Sequence, residues 1–184
     1  DTDRSRGLGD VYKRQITILP VIVPTVTASA DKVHEDETVE IGLTVEGGEP
    51  AAIRWALTCD SKDTAVTLGN NGGTLAFDGA GDYALTAIAV DAQGREFSSE
   101  PVAIKVIPNL SLSLTSDLEK LHEDEAAAIS LTVEHGTPST VQWALTHDGE
   151  GVSVSLDDNG GQLTFDGAGA YVLTATATDE LGKE

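Results

Sequence analysis

Phe77–Thr86 reads FDGAGDYALT, and 88 residues later Phe165–Thr174 reads FDGAGAYVLT. A glycine-rich corner followed by Tyr and then apolar side chains two apart describes a strand entered from a tight turn, since residues i, i+2 and i+4 share one face of a strand. Outward from this stretch the 88-residue offset continues without a gap. VHEDETVEIGLTVEGGEPAAIRWALT (Val33–Thr58) lies over LHEDEAAAISLTVEHGTPSTVQWALT (Leu121–Thr146), and 37 of the 72 pairs from Thr25/Ser113 to Glu96/Glu184 are identical. An internal repeat of this size is one folding unit copied in tandem.

Within the unit the apolar pattern has period two. Val39, Ile41, Leu43 and Val45 alternate with polar or small residues, as do Ile53, Trp55 and Leu57. Val66 and Leu68, Leu75 and Phe77, then Tyr83, Leu85, Ala87 and Ala89 follow, and Val102, Ile104 and Val106 close the unit. Turn signals separate the runs: GGEP at 47–50, NNGG at 70–73, DGAG at 78–81 and DAQG at 91–94. Asn-Gly between alternating runs marks a hairpin, because both residues tolerate positive φ. No stretch has helical period. The expectation is all-β, with about seven short strands per unit folded as tandem β-sandwiches.

Trp55 and Trp143 fall in the third run, where immunoglobulin-like sandwiches bury a Trp on strand C, and Tyr83 and Tyr171 open the strand after the corner, where a tyrosine corner sits. The units are similar to immunoglobulin-like repeats, and YALTAIAVDAQG and YVLTATATDELG resemble the polycystic-kidney-disease (PKD) and bacterial immunoglobulin-like repeats of cell-surface and secreted proteins. VHEDETVEIGLTV resembles the A′ turn and strand B of such modules. The intersheet disulfide of many relatives has no counterpart, Leu43 or Val45 and Leu85 taking its place, and LTCDSKD lacks the PKD glycine-aspartate turn.

The ends follow from the offset. ITILP (Ile16–Pro20) aligns with IKVIP (Ile104–Pro108), so residues 16–19 read as the last strand of a preceding repeat. Residues 20–108 form repeat 1. Residues 109–184 form repeat 2, which stops before any counterpart of PVAIKVI (Pro101–Ile107) and is expected to lack its last strand, leaving Val172–Thr178 without an edge partner. Together with the absence of Met, this predicts a piece of a parent with at least three repeats. Residues 1–15, DTDRSRGLGDVYKRQ, differ in composition and resemble a translated sequencing-library adapter, so they are left out of the fold reasoning.

The 184 residues carry 31 acidic and 11 basic side chains, a net charge of −20. Such a surface repels phosphate backbones and anionic lipid, which disfavours nucleic acid and membrane contact as partners. No apolar run approaches the roughly 20 residues of a spanning helix. The single Cys, Cys59, precludes an internal disulfide, and its counterpart is His147, so nothing repeats a nucleophile–base pair. No serine-histidine-aspartate set, phosphate loop or HExxH motif is present. The expectation is a non-catalytic chain.

The densest polar cluster is HEDE, at His34–Glu37 and again at His122–Glu125. Calcium takes six to eight oxygen ligands, and carboxylates supply them. In an immunoglobulin-like module the A′–B turn and E–F corner share one end. Glu35, Asp36, Glu37 and Asp78 there face the next module, whose loops offer Glu134, Asp157, Asp158 and Asp179; this is the candidate inter-repeat calcium set. The competing reading is a solvated acidic turn that discourages edge pairing. LDDNGG (156–161) reads as a hairpin turn, since its spacing is not that of a calcium loop. Zinc needs three or four clustered N or S donors, so His34 and His122 are expected as exposed turn histidines. Trp55, Trp143, Phe77, Phe165, Tyr83 and Tyr171 fall in phase with the aliphatic core, which leaves few aromatics for a sugar platform.

The linker Ile107–Leu110, containing Pro108, limits motion between repeats. The resemblance then implies a structural role: a stalk or spacer of a bacterial cell-surface protein, extracellular, with adhesion as a second role in that class. Its partners are neighbouring repeats of the same chain, with a surface protein or glycan as ligand. The alternative class is an accessory spacer or carbohydrate-binding module of a secreted hydrolase.

Overall fold

The computed structural model describes residue 18 and residues 20–184. The adapter-like residues 1–15 and most of the aligned strand at 16–19 lie outside the described residues.

Repeat 1 contains nine strands: β1 (Val23–Ala28), β2 (Lys32–His34), β3 (Thr38–Glu46), β4 (Ala52–Cys59), β5 (Lys62–Thr64), β6 (Gly72–Ala76), β7 (Gly81–Val90), β8 (Glu96–Ser98) and β9 (Val102–Ile107). One sheet has the order β1-β3-β6 and the other β2-β9-β7-β4-β5, with β8 also on β7. All pairs are antiparallel except β2 with β9, where Val33 lies opposite Val106. This is the immunoglobulin-like arrangement, with A, B and E in one sheet and A′, G, F, C and C′ in the other. The inward faces meet in a core where Val39, Leu85 and Ile104 are the largest fully buried side chains. Each such aliphatic contributes about 1.5–3 kcal/mol on burial.

The tyrosine corners form as expected. Tyr83 Oη donates to the carbonyl of Gly79 at 3.0 Å and Tyr171 Oη to that of Gly167 at 3.2 Å. Each Tyr ring meets a Phe edge-on, Phe77 at 4.9 Å and Phe165 at 4.7 Å between centroids. The two tryptophans are half-buried, and their indole nitrogens donate to Gly69 O at 3.0 Å and Asp157 O at 3.1 Å. A large ring with a satisfied N–H thus bridges strand C to the turn before strand E.

Two details of the strand map differ from expectation. Val66 and Leu68 are not in a strand; they pack on the core from an irregular segment, which alternation alone does not distinguish from a ladder. A short strand precedes them instead, because Asp60 (φ 49°) and Ser61 (φ 66°) close a two-residue hairpin between Cys59 and Lys62. The NNGG turn forms as a tight reversal, with Gly69 and Gly72 exchanging backbone hydrogen bonds at 2.9 and 3.1 Å.

Repeat 2 contains β10 (Ser111–Ser116), β11 (Ala126–Glu134), β12 (Thr140–His147), β13 (Glu150–Val152), β14 (Gly160–Thr164) and β15 (Tyr171–Thr178). Its sheets are β10-β11-β14 and β13-β12-β15. The free edge of β15 faces no strand among the described residues, as the offset predicts. Lys120–His122, the counterpart of β2, is not a strand either, and no β9-type partner for it lies among the described residues.

Candidate functional site

The polar groups that the fold concentrates lie where repeat 1 meets repeat 2. Three residues, Pro108 to Leu110, separate β9 from β10. Around them the turn between β2 and β3 meets the turn after β15.

The turn after β15 is built by Asp179. Its Oδ1 accepts from the amides of Leu181 at 2.8 Å and Lys183 at 3.0 Å, and Gly182 closes the turn with φ 86°. Asp91 does the same in repeat 1, accepting from Gln93 at 2.8 Å and Arg95 at 2.9 Å. With Oδ1 committed to the turn, Asp179 Oδ2 is left facing repeat 1, where it accepts from His34 Nε2. The other ring nitrogen, Nδ1, lies 3.3 Å from Glu37 Oε2, and the same oxygen accepts from the His34 amide at 2.8 Å. His34 is 2% exposed and Asp179 6%.

A second pair flanks the first. Lys183 Nζ donates to Asp36 Oδ1 at 2.7 Å, to Asp36 Oδ2 at 2.8 Å and to Asn109 Oδ1 in the linker at 2.8 Å. Lys32 pairs with Glu180. The linker is held from the repeat 1 side, where Glu35 Oε1 accepts from the Asn109 amide at 3.3 Å and the Glu35 amide donates to Ile107 O at 3.0 Å.

These bonds shift the carboxyls. Burial pushes Asp179 up, but the bonds from His34 and from the Lys183 and Leu181 amides outweigh it and hold the group below 3.8. Asp36 is lowered chiefly by its bond from Lys183, and Glu37 chiefly by the His34 amide.

The expectation that His34 is an exposed turn histidine is corrected: the turn after β15 covers it. His122 is exposed, as expected. Of the eight candidate calcium residues, Glu35, Asp36, Glu37 and Asp179 come together at the junction. There Asp36 takes Lys183 and Asp179 takes His34. Asp78, Glu134, Asp157 and Asp158 are exposed, and Asp157 belongs to the reversal before β14. Among the described residues no group of three or more His, Cys, Asp or Glu is arranged to hold a metal ion. Cys59 is a free thiol at the end of β4. Beside it, burial, assisted by the thiol, pushes the Tyr83 phenol up to about 12.

Lys183 and Lys32 were missed as site residues. Their signal was faint: a Lys two residues before HEDE, and another in the turn that packs onto it.

No family model matches the chain, and no curated protein matches it. Among solved structures, it is similar to the fibronectin(III)-like modules of Clostridium thermocellum CbhA at 18% identity and TM-score 0.37, over 85% of this chain and 86% of that one. It is also similar to the mouse nectin-like molecule 4 ectodomain (Ig1–Ig3) at 16% identity and TM-score 0.39, covering 90% of this chain and 62% of that one. The strand topology and the two tyrosine corners, not these likenesses, place the repeats in the immunoglobulin-like class. No helix among the described residues is long and apolar enough to cross a membrane.

Proposed function

We propose that the chain is a non-catalytic spacer, a segment of a semi-rigid stalk in an extracellular, bacterial cell-surface protein. The observation that carries this reading is the junction. A three-residue linker is closed by His34–Asp179, Lys183–Asp36 and Lys32–Glu180, each pair joining one repeat to the next. A chain that only needed to tether two domains has no use for a buried histidine–carboxylate contact between them; a spacer that must hold a fixed angle does. Sparse cysteine, strong acidity and tandem copies accord with an exposed surface protein.

The test is the relative motion of the two repeats. Backbone 15N relaxation of the chain should give one shared rotational diffusion tensor for repeats 1 and 2, and residual dipolar couplings from both should fit a single alignment tensor. Separate tensors would remove the spacer reading and leave two tethered domains.

A further inference from the structure

The joint between the repeats turns on one residue. On the repeat 1 side, Ile107 ends β9 and its carbonyl oxygen accepts from the Glu35 amide at 3.0 Å. Pro108 fixes its own φ and disfavours a helical turn at Ile107. On the repeat 2 side, Leu110 packs on the turn after β11, where a Cβ placed on Gly136 would lie 2.9 Å from Leu110 Cδ2. Ile22, the counterpart of Leu110, is buried in repeat 1 and sits in the same way against Gly48. Asn109 stands between these two anchors, so the backbone about it sets the direction in which repeat 2 leaves repeat 1.

Asn109 is bonded from both sides. Its amide donates to Glu35 Oε1 of repeat 1 at 3.3 Å, and its Oδ1 accepts from Lys183 Nζ of repeat 2 at 2.8 Å. Lys183 Nζ donates also to Asp36 Oδ1 at 2.7 Å and Oδ2 at 2.8 Å. An ammonium has three N–H donors, and these three oxygens match them. One cation therefore ties the turn after β15 to the HEDE turn and to the pivot at once. The 88-residue periodicity breaks at this position. Pro108 and Leu110 have Pro20 and Ile22 as counterparts, and Asp36 and Lys183 have Asp124 and Arg95, all alike in kind. The counterpart of Asn109 is Val21, whose side chain has no acceptor.

We infer that Asn109 is the residue that sets the angle between the repeats. The anchors on either side of it and the charged groups of the turns are common to both units, and the side chain at the pivot selects the orientation in which those turns meet. The inference rests on the spacer reading and specifies it. The leverage is large. A change of about 30° about one backbone bond at Asn109 moves the far end of β15, eight residues or roughly 26 Å away, by about 13 Å. In a tandem array such displacements add from joint to joint, so the residue at each pivot shapes the rod.

The test is the relative orientation of the repeats in the full chain, from residual dipolar couplings fitted to each repeat separately, for the parent, Asn109→Val and Asn109→Asp. Val is the side chain of the counterpart position, and Asp keeps an oxygen where Oδ1 lies. Asn109→Asp should hold the parent's orientation. Asn109→Val should turn repeat 2 by about 15° or more, the scale of a rigid-body rotation about an interface, or give the two repeats separate alignment tensors. Asn109 lies in the linker, outside both sandwiches, so the couplings within each repeat should fit that repeat's own structure in all three chains. A parent with one tensor that Asn109→Val leaves unchanged overturns the inference and leaves the spacer reading standing. So does an Asn109→Asp chain that turns as far as Asn109→Val, because the oxygen would then not be the cause. Separate tensors in the parent remove both.

Discussion

The replacement of His34 by Ala is a change in repeat 1 whose consequence should be read in repeat 2. The ring of His34 supplies Asp179 with its bond across the junction, and both groups are nearly enclosed. Removing it leaves the carboxylate facing a space without a donor. A hydrogen bond to a charged group contributes about 1.5–3 kcal/mol, and this loss falls on whichever repeat unfolds first. That is repeat 2, whose core lies open along the edge of β15. For a domain of this size, the loss lowers the repeat 2 Tm by on the order of 10 °C. The chain has two tryptophans, one per repeat, so Trp55→Phe leaves Trp143 as the sole fluorescent reporter of repeat 2. In that background His34→Ala should shift the Trp143 transition, and His122→Ala, the same motif in its exposed copy, should leave it in place. Acid gives the sign. The Asp179 carboxyl is held below 3.8 in the folded chain, so its contribution is fully present above about pH 5 and is lost as pH falls through its lowered value. The parent and His34→Ala should therefore converge once the pH falls below that lowered value. A Trp143 transition unmoved by His34→Ala at neutral pH would refute the reasoning, because the junction would then carry no free energy between the repeats.

Other outcomes can be checked separately. Heating should unfold the chain in two steps, with residues 20–108 alone folding and reproducing the upper one; a single cooperative transition at the stability of residues 20–108 would show that the open edge costs repeat 2 nothing. In a spectrophotometric titration at 295 nm, one of the three tyrosines should ionise only near pH 12, since burial disfavours the Tyr83 phenolate, and repeat 1 should lose stability between about pH 10 and 12; complete ionisation by about pH 11 would contradict the burial. Gly72→Ala should destabilise repeat 1 by more than about 2 kcal/mol, because Gly72 sits at φ 102° and a Cβ there would lie 2.0 Å from the Ile41 carbonyl oxygen; chemical denaturation measures it. Calcium should raise the melting temperature no further than a monovalent salt of equal ionic strength, given that Asp36 and Asp179 already have cationic or N–H partners within the chain. A larger, saturable shift would restore the carboxylates of the junction as calcium ligands.

The sandwich was legible because its causes are local and repeated. Alternation from Tyr83 to Ala89 can bury one face only as a strand, and FDGAG positions the tyrosine corner within the same ten residues. Val66 and Leu68 also alternate, yet they lie in irregular chain; the period records which side chains face the core and not whether the backbone has a neighbour to pair with. The strand that does form there, β5, depends on the two-residue turn at Asp60–Ser61, and its clearer signature was Asp148-Gly149 in the second copy.

The junction was legible only in outline. The topology brought the HEDE turn of repeat 1 toward the loops of repeat 2 and named Asp36 and Asp179 among the residues that meet. It did not give their partners. His34 and His122 stand in identical HEDE motifs, and one is buried between carboxylates while the other is exposed. Nothing within either motif could separate them, because the difference arises from what is packed against each: the Asp179 turn on His34, and on His122 no segment among the described residues. The same holds for β2, which is a strand beside β9, and for Lys120–His122, which is none without such a neighbour. In a tandem array the sequence of a unit specifies its own sandwich, whereas the chemistry at its ends belongs to the pair of units that meet there. The acidic turn is then best understood as half of a joint, completed by a carboxylate for its histidine and a Lys for its aspartate, both from the adjoining turn.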